Sequence, residues 1–380
     1  MKKKLLALVL VVAAFTLSIF AHAQKHPWKK GILVDEFIFD SASFPESHAA
    51  TIAETPEGLI AAWFGGTKER NPDVEVWTSK YANGKWSKPV AVANGIVNDT
   101  LRYACWNPVL FQYPGNDLLL FYKTGPNVAR WKGWMKRSSD HGKTWSDAIA
   151  LPEGFLGPVK NKPVLLSNGF LIAPSSTEGN GWKIHFETSS DQGRTWKKIG
   201  PINDGKTFNA IQPSILVHKD GRLQVLARSR NRSLVESWSS DGGNTWSAVG
   251  PSGLPNNNSG TDAVTLSNGK HILVYNHVLP HDTARNAKGP RTPLNLAYSK
   301  DGKTWYAALI LEDSPISQYS YPSVIESADG MIHVVYTWRR EKIKYVKIDP
   351  SKLKGKKIVE GKWPARKGYT APGAQELTND

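Results

Sequence analysis

Short apolar runs of five to eight residues alternate with clusters of Gly, Asn, Asp and Pro along most of the 380-residue chain. That is the signature of half-buried strands joined by tight turns. The first complete set predicts four strands, at 49–54, 58–64, 74–80 and 89–93. Inner strand pairs then recur at 108–112 with 117–122, 163–166 with 170–174, 213–217 with 222–227, 262–266 with 271–275, and 322–326 with 331–336. Six inner pairs predict six four-stranded antiparallel blades, an all-β propeller. After its inner pair the last blade supplies only 343–348. The early strand 32–39 is expected to complete it, closing the ring and removing exposed sheet edges.

One motif punctuates this pattern. Ser138-Ser139-Asp140-His141-Gly142-Lys143-Thr144-Trp145 returns as Ser189–Trp196, as Ser239–Trp246 and, one residue shorter, as Ser299–Trp305. A degenerate copy runs from Ser79 to Trp86. The five tryptophans stand 59, 51, 50 and 59 residues apart, so the unit is a structural repeat. Its chemistry is that of a hairpin staple. Asp accepts hydrogen bonds from backbone N–H groups just ahead of it, Gly supplies the positive φ, and Trp fills the space between sheets.

Other segments lie outside the repeat. Lys2-Lys3-Lys4, an apolar run over 5–20 and Ala21-His22-Ala23 form a secretory signal peptide, with cleavage expected after Ala23. The run is short for the ~20 residues a bilayer span needs, so no stable membrane insertion is expected. The domain reading is a signal peptide over 1–23, one propeller over 24–350 and a basic extension over 351–380. That extension is expected to wrap the outer edge and end in a loose tail. Residues 281–292 read as a polar loop over one face. A periplasmic or secreted, monomeric protein follows.

Composition narrows the chemistry. Cys105 alone excludes an internal disulfide and a Cys-based zinc cluster, and it reads as a small packed residue. Nucleotide-binding, zinc-protease and serine-hydrolase motifs are absent, the histidines are scattered, and no cofactor or metal is expected. The formal charge of +15 falls to +12 without Lys2, Lys3 and Lys4. No nucleic-acid-binding motif accompanies it, so nucleic acid is not an expected partner. What matters is where the charge sits.

In a propeller, the starts of inner strands and the ends of second strands ring the central channel's mouth. The first set offers Ser47-His48, Trp106-Asn107, Asn161-Lys162, Gln212, Thr261-Asp262 and Tyr321. The second offers 65–70 with Glu69 and Arg70, Lys123, 175–178 with Glu178, Arg228 and Arg230, Asn276-His277, and Trp338-Arg339. A polar, aromatic-edged, cationic mouth suits an anionic sugar, so a carbohydrate is the expected partner.

The Ser-x-Asp-x-Gly-x-Thr-Trp repeats are Asp-boxes, also called BNR repeats. On six blades they resemble the sialidase, or neuraminidase, superfamily over about residues 32–348. Ala49–Ile52, Gly58–Phe64 and Asp73–Trp77 parallel that family's first inner strand, second strand, and acidic loop with third strand. The resemblance implies an exo-acting glycoside hydrolase that cleaves a terminal, acidic sugar. It implies three arginines clamping a carboxylate, a tyrosine nucleophile helped by a glutamate, and an acid/base in the first acidic loop. Tyr321 matches the nucleophile, with Tyr319 its neighbouring competitor. Arg228 matches the blade-four arginine, Arg291 the blade-five one, Glu69 or Asp73 the acid/base, and Glu178 the assisting carboxylate ahead of Glu187.

The family's first arginine is missing, and Glu46-Ser47-His48-Ala49 stands in its place. His48 is therefore either a neutral mouth residue or a general acid/base. Tyr321 is either catalytic or aromatic lining. The alternatives to a sialidase-like hydrolase are a non-catalytic glycan-binding propeller and a His-dependent propeller glycosidase or lyase acting on acidic polysaccharide.

Overall fold

A computed structural model describes residues 26–115, 117–280 and 289–371. The expected signal peptide, most of the 281–292 insertion and the end of the C-terminal tail lie outside these residues. Among the described residues no helix is long and apolar enough to cross a membrane.

Six antiparallel blades form the ring. Blade one is Glu46–Thr55, Gly58–Gly66, Glu75–Ala82 and Val90–Ala93. Blade two is Cys105–Gln112, Leu118–Thr124, Lys132–Ser138 and Ile149–Ala150, and blade three is Val164–Leu165, Leu171–Thr177, Lys183–Ser189 and Lys197–Ile199. Blade four is Ala210–Val217, Leu223–Ser229, Ser233–Ser239 and Gly250–Pro255. Blade five is Asp262–Thr265, His271–Tyr275, Leu294–Ser299 and Trp305–Glu312. Blade six joins Tyr319–Glu326, Ile332–Trp338 and Lys342–Ile348 to the early strand Ile32–Phe37, which pairs antiparallel with Lys342–Ile348. Both ends of the ring thus meet in one sheet.

The Asp-boxes act as staples. In the blade-three copy, Asp191 takes N–H groups of Arg194 at 3.0 Å and Thr195 at 2.8 Å and the Thr195 hydroxyl at 2.6 Å. The Ser189 hydroxyl donates to the same carboxylate and accepts from Gly193 N–H. Hydrogen bonding of this kind, led by the threonine hydroxyl, holds the carboxyls of Asp140, Asp191 and Asp241 well below the usual range. The box tryptophans then reach back to the preceding blade. Trp246 stacks on Phe186 at 4.3 Å, and Trp196 meets Phe121 edge-on at 5.9 Å. Even the degenerate Trp86 packs against Tyr345 of blade six. Each contact seals a seam between two sheets, where burying a large apolar side chain contributes about 1.5–3 kcal/mol.

The extension wraps blade five. Lys356–Lys357 adds a strand beside Tyr306 and Ala307. Beyond it, Trp363 packs on Trp28, and Arg366 lies over the Trp28 ring at 3.8 Å.

One backbone device positions the mouth. Four inner strands carry the same bulge, two residues opposing one, at Ala49-Ala50, Asn107-Pro108, Gln212-Pro213 and Tyr321-Pro322. The first residue of each has positive φ: 55° at Ala49, 32° at Asn107, 56° at Gln212 and 52° at Tyr321. Non-glycine residues there cost about 1–3 kcal/mol each. Glycine would relieve that strain and lose the side chain. The bulge re-aims the side chain out of the ladder, and in three of the four the following proline needs no ladder partner for its nitrogen.

Candidate active site

Tyr321 is the hub of the mouth. Its hydroxyl accepts from Arg228 Nη1 at 2.7 Å. The same guanidinium donates to Gln212 Oε1 at 3.2 Å and to the Asn258 carbonyl at 2.6 Å, and it lies over the Trp182 ring at 5.0 Å. Arg291 and Lys160 flank the Tyr321 ring, 5.6 and 5.8 Å from its centroid. Lys160 rises from the channel floor, where Asn161 Oδ1, Thr261 O and Pro322 O hold its ammonium. Gly260 leaves room for both, because a Cβ there would come within 3.1 Å of Tyr321 and of Lys160.

His48 lies against Tyr321 with ring centroids 4.3 Å apart, and its Nδ1 shares a 2.9 Å hydrogen bond with the Thr337 hydroxyl. Burial pushes the imidazole well below its usual range. Arg340, Arg291, Arg228 and Lys160, in that order, push it the same way. The imidazole is therefore neutral at ordinary pH.

Two carboxylates border this cluster. Glu69 pairs with Arg340 at 2.5 Å. Glu178 is raised by burial, against the pull of Arg228 and Arg230, with Glu69 adding to the rise. Asp73 bonds Thr67 through both oxygens, at 2.7 and 2.8 Å, and so shapes the acidic loop. Arg70 projects from that loop with φ 82°. Trp106 backs the mouth by packing with Phe64 and Tyr321, and its Nε1 donates to Gly125 O. Asn107 turns its carbonyl toward Lys123.

Thus His48, Glu69, Glu178, Trp106, Gln212, Arg228, Arg291 and Tyr321 come together. Five expected mouth residues stand elsewhere. Lys123 occupies in blade two the register place of Arg228 in blade four, but it is fully buried and its ammonium is held by the Asn107 and Pro158 carbonyls. Lys162 and Asp262 pair at 2.8 Å inside the channel. His277 faces outward between the Tyr275 hydroxyl and the Gly361 carbonyl, anchoring the C-terminal wrap. Arg339 lies over Trp338 and pairs with Glu341.

The neighbouring Arg340 takes the inward place that sequence gave to Arg339. Both have positive φ, so the turn rotates consecutive side chains apart and strand alternation no longer predicts which points inward. Lys160, Trp182, Asn258 and Thr337 were also missed. Lys160 adjoins the Asn161-Lys162 pair that was noticed, whereas nothing in sequence marks Trp182 or Asn258.

The charge balance is unusual. Three arginines and Lys160, which burial lowers to about 7, converge on His48, with Glu69, Glu178 and, toward Lys160, Asp262 beside them. Among the described residues Arg228 Nε and Arg340 Nε are buried donors with no acceptor. Buried donors are nearly always satisfied, and guanidinium forks match carboxylate geometry. Such a cluster can hold an anion.

Fold and mouth together define a sialidase-like propeller. Residues 57–334 match the BNR repeat-like domain family, and the chain belongs to it. The anhydrosialidase of Macrobdella decora is 27% identical over 294 residues, covering 64% of this chain and 37% of that protein. The chain therefore spans little more than a third of that relative's length. A protein of unknown function from Dyadobacter fermentans superposes with a TM-score of 0.68 at 17% identity, covering 85% of this chain and 100% of the other. The NanB sialidase of Streptococcus pneumoniae gives 0.65 at 16% identity, covering 84% and 71%. These structural likenesses establish the fold.

Proposed function

We propose that the protein is an exported glycoside hydrolase of the sialidase type that removes an acidic terminal sugar. The observation that carries this reading is the cluster of Arg228, Arg291, Arg340 and Lys160 around Tyr321 and His48. A carboxylate of the sugar neutralises the cluster. Arg340, oriented by Glu69, stands in for the arginine missing from blade one.

In this mechanism the Tyr321 oxygen attacks the anomeric carbon while the bond to the leaving oxygen breaks. Arg228, which donates to the Tyr321 oxygen, stabilises the charge that develops there as the phenol proton passes to water. Glu178, whose burial favours the protonated form, gives its proton to the leaving oxygen. Water then cleaves the tyrosyl–sugar bond with Glu178 as base, the departing Tyr321 oxygen takes a proton back from water, and the two displacements retain configuration. Glu69 and Asp73 are less suited to the acid role, because one is paired with Arg340 and the other fastens its loop. The signal-peptide pattern over 1–23 supports export.

The test is a panel of acidic and neutral reporter glycosides, a sialoside included, assayed with wild type and Tyr321→Phe. Release of an acidic sugar that drops at least a hundredfold in Tyr321→Phe is expected. Saturable binding of acidic oligosaccharides without any release would replace the enzyme with a glycan-binding propeller.

A further inference from the structure

Beside the mouth, between blades two and three, lies a cleft of about 550 Å³. That volume falls in the range typical of small-ligand sites. One wall is the turn Val128–Arg130 with Trp131; the facing wall is the Glu178 loop of blade three; Leu151, Pro152 and Phe155 form an apolar floor. Lys132 and Glu153 supply charge at its rim.

Two features join it to the mouth. Glu178 lines the cleft while feeling the charges of Arg228 and Arg230. Trp131 packs on Trp106 at 5.5 Å, and Trp106 belongs to the cluster that includes Tyr321, so aromatic rings run from the nucleophile into the cleft.

The floor is also held in shape by a buried group that the proposed chemistry does not use. Glu187 is fully buried and accepts the N–H groups of Leu156, at 3.0 Å, and Gly157, at 2.6 Å. His185 Nε2 bonds the same Oε1 that accepts from Leu156, at 2.9 Å. A charged residue committed to fixing two loop amides keeps Phe155 and Leu156 in place without waiting for a ligand.

We propose that this cleft is a subsite for the second sugar of the glycan, the one bearing the acidic terminal residue. The proposal rests on the glycosidase reading of the mouth. The apolar face of a neutral pyranose packs on Trp131 and Phe155, and its hydroxyls bond Glu153 and Lys132. Glu178 sits at the junction of the two sites, where the bond between the two sugars would lie.

The experiment compares two substrates with one terminal sugar, taken from whichever acidic glycoside the panel shows to be cleaved: its methylumbelliferyl glycoside and its trisaccharide. Phe155→Ala empties part of the floor, and Ala129→Trp fills the cleft from an exposed position. Thermal melting confirms that each variant is folded. The trisaccharide-to-aryl ratio of kcat/KM is expected to fall at least tenfold in both variants. A ratio within twofold of wild type in Ala129→Trp overturns the subsite.

If the panel finds no glycoside that wild type cleaves, the glycosidase reading fails on its own. Calorimetric binding of 3′-sialyllactose and of free sialic acid to wild type and Ala129→Trp then reads the cleft. A tighter trisaccharide whose advantage disappears in Ala129→Trp supports the subsite; an advantage that persists, or none in wild type, overturns it.

Discussion

Asp262 ties together four blades. Its carboxylate accepts from Lys162 Nζ of blade three at 2.8 Å and from the Ser214 hydroxyl of blade four at 3.0 Å. It also accepts Val324 N–H of blade six and Ala263 N–H of its own blade, each at 2.9 Å. Every partner is a donor, so Asp262→Asn keeps the shape and presents an NH₂ group to donors. It also strands the Lys162 ammonium. Breaking one side of a buried ion pair costs about 3–5 kcal/mol. Lys162 retains some access to water, with 17% of its side chain exposed, so the lower end, about 3 kcal/mol, applies. At ~2.1 cal/mol/K per residue over roughly 350 residues, that lowers Tm by about 4 °C. Differential scanning calorimetry reads the shift. Adding Lys162→Met removes the stranded charge and should recover about 1–2 kcal/mol, a coupling that a double-mutant cycle isolates. A drop below 1 °C for Asp262→Asn, or no recovery in the double variant, would refute this reasoning.

Three further outcomes are expected. Asp191→Ala, which removes the acceptor of a hairpin staple, should cost about 1 kcal/mol at pH 7 by analogy with a lost helix cap, and less once pH falls below about 4, where the unfolded aspartate protonates; urea unfolding at pH 7 and pH 3 checks it. Burial lowers Lys123 to about 7, with Glu187 opposing, against ~10.4 when unfolded. Between those values the unfolded chain binds the more protons, so stability should rise with pH from 7 to 10 more steeply in wild type than in Lys123→Met, as chemical unfolding at several pH values will show. The His48 ring, depressed by burial and four cations, should show no titration near pH 6.5 by NMR in wild type; because the unfolded chain's imidazole does take up a proton there, stability should fall as pH drops below about 6.5.

Architecture was legible because it repeats. Ser-x-Asp-x-Gly-x-Thr-Trp carries its own turn chemistry, six inner strand pairs count the blades, and the incomplete last blade points to the closing strand Ile32–Phe37. The mouth was legible only by position along strands. Tyr321, Gln212 and Asn107 were found that way, and the prolines that follow them are the sequence trace of the bulges. Positional reasoning failed where a side chain has a closer partner than the mouth. Lys123 and Arg228 hold equivalent register places, yet only the longer, forked arginine reaches Tyr321, while the lysine is captured by carbonyls. His277 is claimed by a segment more than 80 residues later, a contact no local pattern encodes. The choice between Arg339 and Arg340 turned on two consecutive positive φ values.

The central claim is that the arginine cluster recognises the carboxylate of an acidic sugar while Tyr321 attacks it. The most direct measurement compares hydrolysis of one acidic reporter glycoside with that of its methyl ester, by wild type and by Arg228→Met. The account predicts that wild type prefers the free acid at least a hundredfold in kcat/KM, and that Arg228→Met loses most of that preference by failing on the acid. Equal rates on acid and ester in wild type would contradict it.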